Sequence, residues 1–102
     1  MNKPNKDTEY YQAQRKALIQ KREEIEENKR LANGAFDELE EKAHWAKGKV
    51  ANPEVFTPVL NTFEQQRSDY HHDFQKQLQK VDDDLAAVDK ELRQTKEGRE
   101  DE

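Results

Sequence analysis

The sequence predicts an all-α fold: an antiparallel two-helix hairpin, coiled-coil-like, that completes a larger helical bundle with a partner. Three observations predict it. Two long stretches, about 8–47 and about 58–96, contain no proline beyond Pro58 at the start of the second, and no glycine except Gly34. Both carry apolar residues at helical rather than strand spacing. The stretch between them, about 48–57, opens with Gly48 and contains Pro53. Charged residues make up 40% and hydrophobic residues 31% of the 102. That balance is too polar for a self-sufficient globular core and suits long helices with one apolar stripe. Highly charged chains are often disordered. Here the net charge is only -5, and the apolar residues are periodic. The whole chain, 1–102, therefore reads as one helical-hairpin domain.

The first helix is expected to start at Asp7 or Thr8, whose short oxygens accept an orphan helix N–H. Tyr11, Leu18, Ile25, Ala32, Leu39 and Ala46 recur every seven residues, which is a coiled-coil seam. Ala17, Leu31, Ala35, Phe36 and Trp45 widen the stripe. Gln14, Lys21 and Asn28 keep it narrow at the start. Gly48 is expected to end the helix in a left-handed cap.

The turn spans about 48–57. Asn52 and Thr57 each precede a proline, which disfavours helix at those positions. Pro53 can open a short turn of its own. Thr57 as cap with Pro58 at the first helical position gives a start signal for the second helix.

The second helix carries Val59, Leu60, Phe63, Tyr70, Phe74, Leu78, Val81, Leu85, Val88 and Leu92. Phe74/Leu78, Val81/Leu85 and Val88/Leu92 are four apart and stack on one face. Leu60, Phe74, Val81 and Val88 share a seven-residue register that also contains Arg67. The last residues, Arg93 to Glu102, are charged and expected to fray, with the charged tail at 97–102.

Folding back at the turn brings positions summing to about 106 together. Leu18 then meets Val88, Ile25 meets Val81, Ala32 meets Phe74, Phe36 meets Tyr70, and Ala46 meets Leu60. Small opposite large is what a packed pair needs. Leu39 falls opposite Arg67, which can snorkel or pair with Glu38 or Glu40.

Two helices alone cannot enclose a core, and such chains commonly complete a bundle by association. The expected partner-binding set is Phe63, Tyr70, Phe74, Leu78, Val81, Leu85, Val88 and Leu92. The alternative is that these residues fill the hairpin's own interface. Trp45, with Gly48, Pro53 and Pro58, marks the turn. Trp45 is expected to pack the hairpin's end against Leu60 and Phe63; the rival reading makes it a recognition anchor.

Other function classes lack their signatures. Residues 1–50 carry a net +1 and residues 51–102 a net -6. No clustered basic face suits nucleic acid. There is no cysteine, so disulfides and thiolate metal sites are excluded. His71 and His72 are adjacent, flanked by Asp69 and Asp73. Consecutive helical residues point about 100° apart, so they suit a polar helix flank better than one metal ion. Asp82-Asp83-Asp84 lacks the glycine and spaced ligands of a calcium loop. Ser68 is the only serine, and no base matches it. The expectation is a non-enzyme without metal or cofactor. No apolar run reaches the ~20 residues that span a bilayer, so no membrane insertion is expected. The polar N-terminus lacks a secretory h-region. Cytoplasmic synthesis follows, with a signal-peptide-independent route if the chain is exported with a partner.

A chain near one hundred residues with two helices and a Trp–Gly turn resembles the small helical hairpins of type VII secretion. Their Trp-x-Gly turn reads here Trp45-Ala46-Lys47-Gly48, one residue longer. Their Tyr-x-x-x-acid export signal after the second helix is missing. The nearest string, Phe36-Asp37-Glu38-Leu39-Glu40, lies in the first helix. These departures resemble the α-helical targeting proteins that accompany LXG toxins in Gram-positive bacteria. The resemblance covers residues about 8 to 96 in layout. It implies a targeting chaperone whose partners are the toxin's helical N-terminal domain and a second small hairpin. The rival is a self-associating homodimer forming a four-helix bundle.

Overall fold

The computed structural model describes residues 3–100, with side chains for 7–95. It is an all-α helical hairpin: α1, Lys3–Lys47, a 3-10 turn over Pro53–Phe56, and α2, Thr57–Glu100. The chain divides into two compact units, Met1–Ile25 with Gln77–Glu102, and Glu26–Lys76. Each unit pairs a segment of α1 with a segment of α2 running the other way.

The ends of the elements differ from expectation at four points. First, α1 begins at Lys3, ahead of Asp7 and Thr8. Pro4 falls in its first turn, where a missing N–H leaves no bond unmade. Second, Gly48 adopts no left-handed conformation. Its N–H donates to the His44 carbonyl at 3.2 Å, and the Lys49 N–H donates to the Ala46 carbonyl at 3.0 Å. These two bonds satisfy carbonyls that a helix end would otherwise orphan. Third, Thr57 is itself helical, at φ -57 and ψ -48. The 3-10 turn runs directly into α2, so Thr57 is not an extended cap before Pro58. Fourth, α2 continues to Glu100. The last two residues of the expected charged tail, Asp101 and Glu102, lie outside the described residues.

Asn52 takes φ -121 and ψ 85, outside the helical region, as the following Pro53 requires. Asn52 therefore stands outside the 3-10 turn that Pro53 opens.

Unit Met1–Ile25/Gln77–Glu102 buries Ile25, Val81 and Val88. Arg15 Nε donates to Asp89 Oδ1 and Arg22 Nε to Asp82 Oδ1, both at 2.9 Å. These pairs bridge α1 and α2 at sums near the expected register. All four side chains are substantially exposed, so each pair contributes at most ~1 kcal/mol. The apolar interior carries the stability and the ion pairs fix the register.

Unit Glu26–Lys76 buries Phe36 and Ala43. The Phe36 and Tyr70 rings meet with centroids 5.6 Å apart, and Tyr70 stacks on Phe74 at 6.3 Å. Phe36 opposite Tyr70 is the pairing that the register predicts.

Candidate protein-binding surface

Ion pairs close one flank of each unit and leave the other open. At 100° per residue, Glu40 lies about 40° and Asp37 about 100° to one side of Phe36 on α1. Arg67 of α2 reaches both: Nη2 to Asp37 Oδ1 at 2.7 Å, and Nη1 to Glu40 Oε1 at 3.4 Å. The hydrogen bond that Arg67 donates to the Asp37 carboxylate holds its guanidinium above its ordinary pKa, against some desolvation. Glu40 is a partner the sequence predicts; Asp37 stands in place of Glu38.

Leu39 lies about 60° to the other side of Phe36. It is 44% exposed, although the seven-residue repeat puts it on the seam. The reason is the phase of the repeat. The buried residues of α1 are Ile25, Phe36 and Ala43, an interval of eleven followed by one of seven. A straight helix at 3.6 residues per turn drifts off a strict repeat of seven. In unit Glu26–Lys76, Phe36 and Ala43 therefore hold the seam, and Leu39 is turned off it.

Tyr70 and Val59 of α2 belong to the same flank as Leu39. Relative to Phe74 they lie about 40° and 60° away from the Arg67 side. Tyr70 is 53% exposed, and Val59 is exposed as well. A shallow groove of about 210 Å³ beside Tyr70 is lined by Gln66, Asp69 and Asp73. On α1 the flank is completed by Ala32, Ala35 and Ala46, whose small side chains let another helix approach closely.

Unit Met1–Ile25/Gln77–Glu102 has the same division within itself. Away from its Arg15 and Arg22 pairs, a groove of about 410 Å³ opens between the helices. It is lined by Gln14, Ala17, Leu18, Asp84, Ala87 and Val88. Leu18 and Val88 share this groove, as the register expects.

The expected partner-binding set divides when placed on this geometry. Val81, only 1% exposed, and Val88, also buried, belong to the hairpin's own interior. Val88 also lines the open groove beside Leu18. Phe63, Phe74, Leu78, Leu85 and Leu92 are half-buried. Tyr70 alone of the set is well exposed. Leu31, Leu39 and Val59 are exposed apolar residues that the set missed. Counting from Phe36 and Ala43 instead of Leu39 is the signal that would have found Leu39.

The turn residues also need correction. Trp45 is 68% exposed and does not pack the hairpin's end. It lies about 180° from Phe36 around α1, on the outer face, with the Lys49 ammonium 5.4 Å from its ring centroid. Gly48, Pro53 and Pro58 are exposed.

His71 and His72 are both exposed. Among the described residues, no group of three or more His, Cys, Asp or Glu could hold a metal ion. No helix among them is long and apolar enough to cross a membrane. The chain matches no protein-family model, no curated protein and no solved structure.

Proposed function

We propose that this chain is a protein-binding adaptor that packs the Leu39–Val59–Tyr70 flank against a helix of another protein. The observation that carries the reading is the exposure of Leu39 and Tyr70 beside three alanines, on the flank that the Arg67 ion pairs leave open. Large apolar side chains on one flank, next to small ones, are what a ridge-into-groove helix contact uses. Exposed apolar patches of this kind mark interaction sites. The adaptor acts as a targeting chaperone, and its client is the helical N-terminal domain of a type VII LXG toxin. The hairpin layout and the Trp45–Gly48 turn support that choice of client.

The experiment is binding of the purified chain to such a domain, with Leu39→Lys and Tyr70→Lys as variants. The reading expects both to weaken the complex while the helical circular dichroism is kept. Undiminished binding by both variants would overturn it.

A further inference from the structure

We infer that the turn end of unit Glu26–Lys76 is a docking point for anionic lipid surfaces. Four features converge there. Trp45, the only tryptophan, stands exposed on the outer face of α1, half a turn before the helix ends. Val50 and Val55 are exposed on the connection between the helices. Lys42 and Lys49 accompany them, with Lys47 half-buried on the side of α1 that bears Phe36; Glu54 is the one acid within residues 42–63, and Glu41 lies one turn before Trp45. Among the described residues, none of these three lysines is held in an ion pair.

The charge argument selects the occupant. The chain as a whole carries -5, while residues 42–63 carry a net +2 with His44 neutral. An anionic surface therefore repels most of the molecule and attracts this end. Tryptophan and lysine are the side chains suited to a lipid–water boundary, each with an apolar body and a polar tip. Lys49 over the Trp45 ring already places the two together. The valines are exposed on the connection. Such an end suits a deformable surface better than a rigid protein groove, which would need a matching hollow.

Docking is shallow. The connection 48–52 is irregular backbone, which cannot enter the hydrocarbon without orphaning its polar groups. Val50, Val55 and the Trp45 ring reach the headgroup–acyl boundary, as interfacial anchors do. Each lysine near an anionic surface raises partitioning by about fivefold at low salt.

Trp45 is a built-in reporter of the test. Its emission is followed as vesicles are added, either phosphatidylcholine alone or phosphatidylcholine with phosphatidylglycerol. The expected result is a blue shift with the mixed vesicles at low salt, reversed at ~1 M salt, where the screening length is about 3 Å. Lys49→Glu is expected to weaken partitioning by roughly fivefold or more. Val50→Asp/Val55→Asp is expected to abolish the blue shift. Lys49, Val50 and Val55 are exposed and lie between α1 and α2, outside the Leu39–Val59–Tyr70 flank, so helicity and binding of a helical client are retained. Unchanged emission on phosphatidylglycerol vesicles overturns the inference. So does a blue shift produced by an acidic helical peptide and not by the vesicles, which makes the turn a protein-binding site.

Discussion

Arg67 of α2 reaches across the hairpin to Asp37 of α1 at 2.7 Å, on the flank opposite the one that holds Leu39. That pair sets the sidedness of unit Glu26–Lys76. Arg67 sits in the apolar register of Leu60, Phe74, Val81 and Val88, where a charge cannot be buried alone. Its guanidinium leaves the seam toward Asp37 and Glu40, and Leu39 is displaced from the same layer.

This geometry separates two side chains that the seven-residue repeat treats alike. Val81→Ala removes two methyl groups from the most buried side chain named in the interior. It is expected to cost about 2 kcal/mol in urea unfolding. Leu39→Ala is expected to cost under about 1 kcal/mol, because much of that side chain is already in water. Equal losses at the two positions would restore Leu39 to the seam.

Gly34 tests whether a packing demand exists inside α1. A Cβ built there meets nothing within 4 Å, and no glycine has positive φ. Gly34→Ala is therefore expected to stabilise the hairpin by about 0.5–1 kcal/mol, since mid-helix glycine carries that cost relative to alanine. Thermal unfolding measures it. A destabilised variant would show that the position is crowded.

Tyr11 supplies a pH reading of the hairpin. The negative charge of Glu91 across the interface raises the phenol above its ordinary pKa, with burial, Asp7, Tyr10 and the hydrogen bond to Glu91 adding to it. A raised folded value means stability that is fully present below the ordinary phenol pKa and lost as pH rises through the folded one. Glu91→Gln is expected to lower the ionisation midpoint, read as tyrosinate absorbance in a Tyr10→Phe/Tyr70→Phe background. An unmoved midpoint would mean that Tyr11 and Glu91 are apart.

The hairpin is legible in the sequence because its signals are local. Pro53 and Asn52 break the helix by covalent geometry, and apolar spacing marks each helix without reference to the other. The register is legible too, since Phe36 opposite Tyr70 follows from matching apolar positions across the turn. The open flank is hidden for a different reason. A repeat of seven read over the whole of α1 places Leu39 on the seam. A count begun at Phe36 and Ala43 puts it off the seam, and the pairing of Arg67 with Asp37 and Glu40 marks the opposite flank. Trp45 is misplaced by composition: a lone tryptophan near a turn invites packing, but its helical angle from Phe36 points it away from α2. The same angle, counted along the sequence, would have exposed it.

The measurement that tests the adaptor most directly is solution mass by light scattering over a concentration series. The chain is taken alone, then with the helical N-terminal domain of an LXG toxin. The account predicts a single chain of 12.1 kDa alone, a complex of summed mass with the domain, and loss of that complex in Leu39→Lys and Tyr70→Lys. A stable symmetric dimer that ignores the domain would contradict it and would make the open flank a contact between two copies of this chain.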